Sequence, residues 1–196
     1  STNSITTLSN SASSVLVESE NIRHNNNPYI GVPSGFNEID RITGGFRGTD
    51  LIILAARPAM GKTAMMCSLA YNAASQGYPI GVISLEMPAS QLSARIISIT
   101  SNINLMKIRN AKYNDEEYNR LIHSVSEMEN IPLFIDDSSS VSLLKIKSII
   151  RKMVNKLGCK MVIIDQRNHI HHNESNRSRN DEIGTISRTL KAEAKE

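Results

Sequence analysis

Tryptophan is absent from these 196 residues, and aromatic side chains make up only 4% of them. A surface that grips bases by stacking needs such rings, so stacking is not a strong theme here. Cysteine is scarce as well. Cys67 and Cys159 are the only two, too few for a disulfide framework. Cys67 falls in a helical run and Cys159 just before a strand, so both are expected as buried thiols of a reducing compartment. No apolar run approaches the roughly 20 residues that a membrane-spanning helix needs. The start, Ser1-Thr2-Asn3-Ser4, carries no basic stretch followed by an apolar one; no signal peptide is expected, and a cytoplasmic location is. There is no internal repeat. The net charge is +3 and the pI near 8.9, which permits a nucleic-acid partner without demanding one. What remains is ordinary: 40% hydrophobic and 21% charged residues, in a chain long enough for one domain with its own core.

Residues 1–28 read as a flexible linker or tail rich in Ser, Thr and Asn, ended by Asn25-Asn26-Asn27-Pro28. Val15-Leu16-Val17 with Ile22 could dock as a helix, but alone the patch is too weak to fold, so Val15 to Ile22 is expected to be disordered in a monomer. Residues 29–196 read as the core. Gly31-Val32-Pro33-Ser34-Gly35-Phe36 is a turn-rich entry, and Asn37 to Ile42 a helical turn with Phe36, Ile39 and Ile42 on one side. Four strands are expected: Leu51 to Ala55, Ile80 to Leu85, Leu133 to Ile135 and Met161 to Ile164. Three of them are near-continuous β-branched or apolar runs, which mark strands covered on both faces. Between and after them come helical stretches: Lys62 to Ser75, Ala89 to Thr100, Asp115 to Met128, Leu143 to Leu157 and Asp181 to Lys195. Asn114 with Glu117 makes a capping box, Ser142 caps the next helix, and Gly158 is placed to end it. Alternation of this kind predicts an α/β fold with a mostly parallel sheet flanked by helices.

Between the first strand candidate and the first long helix lies Ala56-Arg57-Pro58-Ala59-Met60-Gly61-Lys62-Thr63. A strand, a tight loop ending Gly-Lys-Thr and a helix make a P-loop for nucleoside triphosphates, here with Ala56 where the usual first glycine stands. Backbone N–H groups from Arg57 through Pro58, Ala59, Met60, Gly61, Lys62, Thr63 and Ala64 (proline excepted) would surround the phosphates, aided by the helix N-terminus. Lys62 would reach the β- and γ-phosphates, and the Thr63 hydroxyl would sit on Mg²⁺.

Phosphoryl transfer to water also needs a carboxylate on the metal side and another to orient or deprotonate the water. Lys160-Met161-Val162-Ile163-Ile164-Asp165 is an apolar strand ending in an acid, the Walker B arrangement, which makes Asp165 the metal-side carboxylate. Glu86 ends the strand Gly81-Val82-Ile83-Ser84-Leu85 and could face the γ-phosphate as water activator. Equally, it could be a first-turn acid favoured by the dipole of the Ala89 helix; spacing does not separate the two. Asp136-Asp137, followed by Ser138 to Ser140, reads as a solvated turn. His169-Ile170-His171-His172-Asn173-Glu174 places histidines two apart, but no cysteine or further histidine lies near to complete a metal site. Arg177 and Arg179, in the same polar segment, are candidates to reach a DNA phosphate backbone, beside the plainer reading of a solvated loop.

Taken together, Gly31 to Phe36, Asp40-Arg41, Gly44-Gly45, Ala55 to Thr63, Ser84-Leu85-Glu86-Met87, Ile163-Ile164-Asp165 and Ile186 to Ala192 resemble the motor domain of DnaB-type replicative DNA helicases. The resemblance runs from about Gly31 to Glu196. It implies a RecA-like hexamer that moves along single-stranded DNA and unwinds duplex by hydrolysing Mg-ATP between subunits, with primase and loader as partners. It assigns Lys62 and Thr63 to phosphate and Mg²⁺, Asp165 to the Walker B role and Glu86 to the catalytic glutamate. Where the family continues Tyr-Leu-Gln-Leu, this chain has Gln166-Arg167-Asn168-His169, and Glu193 stands at an apolar position. The family pattern continues past Glu196 with another strand, a DNA-contacting loop and an arginine finger. The core is therefore expected to be C-terminally incomplete and the isolated chain weakly active or inactive. A non-catalytic nucleotide-binding or assembly fragment, and a RecA- or KaiC-like ATPase outside replication, are the competing readings.

Overall fold

The computed structural model describes residues 6–24, 31–48, 50–57, 60–138, 142–165 and 191. Three parallel strands, β1 (Ile80–Ser84), β2 (Leu133–Asp136) and β3 (Met161–Asp165), form a sheet in the order β2-β1-β3. Residue Gly81 of the central strand lies between Phe134 and Val162 of its neighbours. Side chains alternate faithfully across this sheet, as the pleat demands. Ile80, Val82, Leu133, Ile135, Met161 and Ile163 face one layer. Ile83, Phe134, Val162 and Ile164 face the other.

The first layer is helix α3 (Lys62–Ser75) and α4 (Ala89–Ser101), which bury Met66, Cys67, Ala70, Ala73, Ala74, Leu92 and Ile96 with Val32. The small alanines let α3 approach the sheet closely. The second layer is α7 (Leu143–Leu157), which buries Ile146 and Met153. The absence of a side chain at Gly81 makes room there, since a Cβ would stand 2.5 Å from the Met153 sulfur. Short α5 (Leu105–Arg109) and amphipathic α6 (Asp115–Glu127) complete the first layer beside α4. The expected caps are present. Asn114 and Glu117 form the reciprocal capping box, the Ser142 hydroxyl accepts from Lys145 N–H, and Gly158 ends α7 in the left-handed conformation.

The entry segment is pinned by a buried carboxylate. Asp40, in α2 (Asn37–Thr43), is 2% exposed and accepts N–H bonds from Ser34 at 2.7 Å and Gly35 at 3.0 Å. Asn72 of α3 then donates to the Ser34 carbonyl, tying the segment to the core. Val32 and Phe46 pair across an isolated antiparallel bridge. The crossing is so close that a Cβ at Gly31 would meet the Gly45 and Phe46 backbone at 2.5 Å.

Two expectations are corrected. Leu51 to Ala55 is not a strand: it is irregular, with Ile52, Ile53 and Leu54 exposed by 50%, 71% and 43%. Strand propensity is realised only against a hydrogen-bonding neighbour, and among the described residues β3 pairs with β1 alone. Residues expected to be disordered lie within helix α1 (Leu8–His24). Asn10 N–H bonds the Thr7 hydroxyl at its start, and Ser13 and Ser14 bond carbonyls four residues back. Its Leu8, Val15, Leu16 and Val17 are exposed. In α2 the inward side holds Asp40, while Ile42 is 79% exposed. The expected helix at Asp181 to Lys195 lies outside the described residues except Lys191.

Asp40→Ala is expected to cost about 2–4 kcal/mol, because the buried Ser34 N–H and the part-buried Gly35 N–H both lose their acceptor. Asp40→Asn, which keeps one acceptor, should cost visibly less. Urea denaturation midpoints of the three chains measure this.

Candidate nucleotide-binding site

The C-terminal tips of the three parallel strands share one edge of the sheet, where open α/β folds place their ligands. Helix α3 begins at this edge. Gly61 precedes it with φ +87, a conformation that the glycine supplies without strain, and Met65 N–H closes the first turn on the Gly61 carbonyl at 2.9 Å. Before it, Met60 N–H bonds the Arg57 carbonyl at 3.2 Å. No acid lies in the first turn and no side chain caps it, so its N–H groups face the edge with their partial positive charge.

Lys62 Nζ stands 3.1 Å from Asp165 Oδ1. The lysine side chain is 29% exposed and the aspartate side chain 1%. The other oxygen, Asp165 Oδ2, is buried with no hydrogen-bond partner among the described residues. A carboxylate oxygen without a partner among the described residues is a hard donor that fits a divalent cation or its water. Thr63, half-buried in the same first turn, offers the hydroxyl of such a donor set.

Glu86 lies at the same edge. Ser84 pairs in register with Asp165, and Leu85 N–H extends the ladder to the Asp165 carbonyl at 3.1 Å. The Ser84 hydroxyl then donates to the Met87 carbonyl at 2.6 Å and accepts Met87 N–H at 3.2 Å. This closes a turn that carries Glu86 out to solvent. Ser84 is 1% exposed and sets the position of the glutamate, a role that sequence reasoning missed. A hydroxyl at the end of an apolar strand, three residues before Met87-Pro88, was the available signal. Asp136 behaves as a turn acid, accepting Ser138 N–H, whereas Asp137 reaches across to accept Ala89 N–H at the start of α4.

Cys67 lies beneath the site, 1% exposed. Burial pushes its thiol up to about 11 from 9.0; Arg95 opposes the shift and Asp165 adds to it. The Arg95 Nε is itself buried without a hydrogen-bond partner among the described residues. Cys159 is also a buried free thiol, raised by burial.

The structure thus brings Lys62, Asp165 and Glu86 to one edge, with Thr63 and Ala64 in the first turn of α3. Arg57 and Met60 are exposed just before that turn. Pro58 and Ala59, the segment His169 to Glu174, Gln166 to His169, and Arg177 and Arg179 lie outside the described residues. No described helix is long and apolar enough to cross a membrane.

A parallel sheet flanked by helices, with a Gly-Lys-Thr helix start meeting a strand-end acid, defines a RecA-like α/β domain of the P-loop class. Comparison with known proteins carries this to a particular family. Residues 31–196 match the DnaB-like helicase C terminal domain, and the chain belongs to that family. Replicative DNA helicase DnaB of Geobacillus stearothermophilus is 38% identical over 176 residues, 88% of this chain and 39% of the relative. Replicative DNA helicase DnaC of Bacillus subtilis is 34% identical over 90% of this chain and 39% of the relative. The chain therefore spans about two fifths of the length of these relatives. Among solved structures, one described as an ATPase domain superposes with a TM-score of 0.83 at 32% identity, covering 94% of this chain and 66% of that one. A DnaB-like replicative helicase, described with its interactions with primase, gives a TM-score of 0.81 at 34% identity over 92% of this chain and 45% of that one.

Removing the lysine strands a buried carboxylate. Lys62→Ala is expected to lower stability by about 1–3 kcal/mol, and Asp165→Asn in the same background should recover part of the loss. A denaturation double-mutant cycle reads the coupling. Cys67 should resist a thiol-labelling reagent at pH 8 in the native chain and react on unfolding. Its native pKa lies above the ordinary value, so its contribution to stability is complete below pH 9.0 and is lost as pH rises toward 11. Unfolding midpoints measured across that interval, compared with those of Cys67→Ala, check the sign.

Proposed function

We propose that this chain is the ATP-driven motor module of a replicative DNA helicase, coupling hydrolysis of Mg-ATP to translocation on single-stranded DNA and to duplex unwinding. The observation that carries the reading is the Lys62–Asp165 contact at the strand tips, with one carboxylate oxygen left unpartnered among the described residues. Arg57, Met60, Gly61, Thr63 and Ala64, with Pro58 and Ala59, surround the phosphates in this reading. Lys62 leaves Asp165 for the β- and γ-phosphates when the triphosphate enters. Thr63 and Asp165 hold Mg²⁺, which supplies charge neutralisation on the transferring phosphoryl group. Glu86, on its Ser84-clamped turn, takes a proton from the water whose oxygen bonds the γ-phosphorus as the bond to the leaving ADP oxygen breaks.

The partners follow the family. Hydrolysis between subunits of a homo-hexamer, with an arginine from the neighbour, makes the isolated chain a weak ATPase. Arg177 and Arg179 are the proposed DNA contacts, and primase and loader the proposed protein partners, in the cytoplasm. Residues 1–28 are proposed as the linker to what precedes the motor core, and 29–196 as part of that core.

Titration of ATP with and without Mg²⁺ tests the site. Lys62→Ala is expected to weaken binding at least about tenfold, since a charged phosphate contact is lost. Glu86→Gln should retain binding while losing about 100-fold or more of any turnover. Equal, negligible binding by the unsubstituted chain and Lys62→Ala would overturn the proposal.

A further inference from the structure

The chain's basicity is not spread over its surface. Helix α7 reads Leu143-Leu144-Lys145-Ile146-Lys147-Ser148-Ile149-Ile150-Arg151-Lys152-Met153-Val154-Asn155-Lys156-Leu157 and contains five cations and no acid. The whole chain carries a net charge of +3 and α7 alone carries +5, so the remainder is net negative. At about 100° per residue, Lys145, Lys152 and Lys156 fall within about 40° of one another around the helix axis. All three are exposed, on the flank of the face that buries Ile146 and Met153. None makes an ion pair among the described residues, whereas Lys62 and Lys107 both do. The stripe spans about 16 Å along the axis at 1.5 Å per residue.

Its place in the fold matters as much as its charge. Strands β2 and β3 are both parallel to β1, so α7 runs from the tip of β2 back to the foot of β3. Lys145, in the first turn, therefore starts at the edge that holds Lys62, Glu86 and Asp165. Lys156 ends at the opposite edge, on the sheet face away from α3 and α4. A linear row of ammonium groups on a rigid, packed helix is complementary to a polyanion of regular charge spacing. It reads no sequence, which suits a protein that must hold any strand. The scarcity of aromatic side chains points the same way, to backbone contact and not base stacking.

We propose that Lys145, Lys152 and Lys156 form a phosphate-backbone contact for single-stranded nucleic acid, in addition to Arg177 and Arg179. The inference rests on the DNA-acting part of the function proposed above and leaves the nucleotide chemistry untouched. The test is fluorescence anisotropy of a labelled oligothymidylate of about 20 nucleotides titrated with the full chain at several salt concentrations. Three bound phosphates contribute about 2 to the slope of log affinity against log salt, at roughly 0.7 per contact. Substitution K145Q/K152Q/K156Q is expected to remove about 2 from that slope, and K145R/K152R/K156R to leave it in place. Circular dichroism and the denaturation midpoint confirm that both variants stay folded. A slope unchanged in the glutamine variant overturns the stripe as a nucleic-acid contact and assigns it to solvent or an acidic protein surface, while leaving DNA binding elsewhere intact. No binding by the unsubstituted chain at low salt overturns the stripe and the DNA-acting reading together; ATP binding, measured separately, distinguishes that outcome from failure of the nucleotide site.

Discussion

The ion pair between Lys62 and Asp165, 3.1 Å long, joins the start of helix α3 to the end of strand β3. Everything proposed for the site depends on it. The aspartate is almost fully buried, and an unpaired charge there would be costly, so the lysine is a structural partner and, in the proposed function, also the group that a phosphate recruits. The two demands compete for one ammonium. The ion pair satisfies the carboxylate; in the proposed function, binding requires another cation to take the lysine's place. In the proposed function, a divalent ion held by Asp165 and Thr63 takes that place.

The surrounding structure serves to hold this contact in place. Parallel pairing of β1 with β3 aligns Ser84 with Asp165, and the Ser84 hydroxyl closes the turn that carries Glu86. Asp137 ties the start of α4 to the tip of β2 through Ala89 N–H, so the site's edge is braced by hydrogen bonds from three strand ends. Behind it, alanines on α3 pack the helix against the sheet, and Asn72 ties the Asp40-pinned entry segment to that helix. The second layer, α7, is different in character. One side seals the sheet through Ile146 and Met153, while the flank beside it holds most of the chain's surplus positive charge.

Much of this is legible in the residues. Local signals hold wherever the cause is local: the capping box at Asn114 and Glu117, the Ser142 cap, the Gly158 terminus and the limits of α3 and α7 all lie where their residues put them. The apolar runs of β1, β2 and β3 have the composition of strands covered on both faces, and they are packed from both sides. Where the cause is distant, the reading fails. Leu51 to Ala55 has the composition of a strand, but no described neighbour pairs with it as one. Asp40, given no role of its own by the residues, proves to be the buried anchor of the entry segment; its partners lie only five and six residues away, but they are backbone N–H groups that no side-chain pattern marks. Ser84 is inconspicuous for the same reason.

Residue order alone gave the candidate phosphate-binding loop, the two candidate acids, the α/β alternation and the family, because each is written in short contiguous stretches whose chemistry does not wait on folding. Only the tertiary structure decided which of these groups meet. It put Lys62 against Asp165, placed Glu86 at the same edge and left one carboxylate oxygen without a partner among the described residues. It also turned Lys145, Arg151, Lys152 and Lys156 of α7 outward and left Lys147 half-buried. Such outcomes depend on parallel register and helix rotation, which are set by packing across the sheet and not by any one segment.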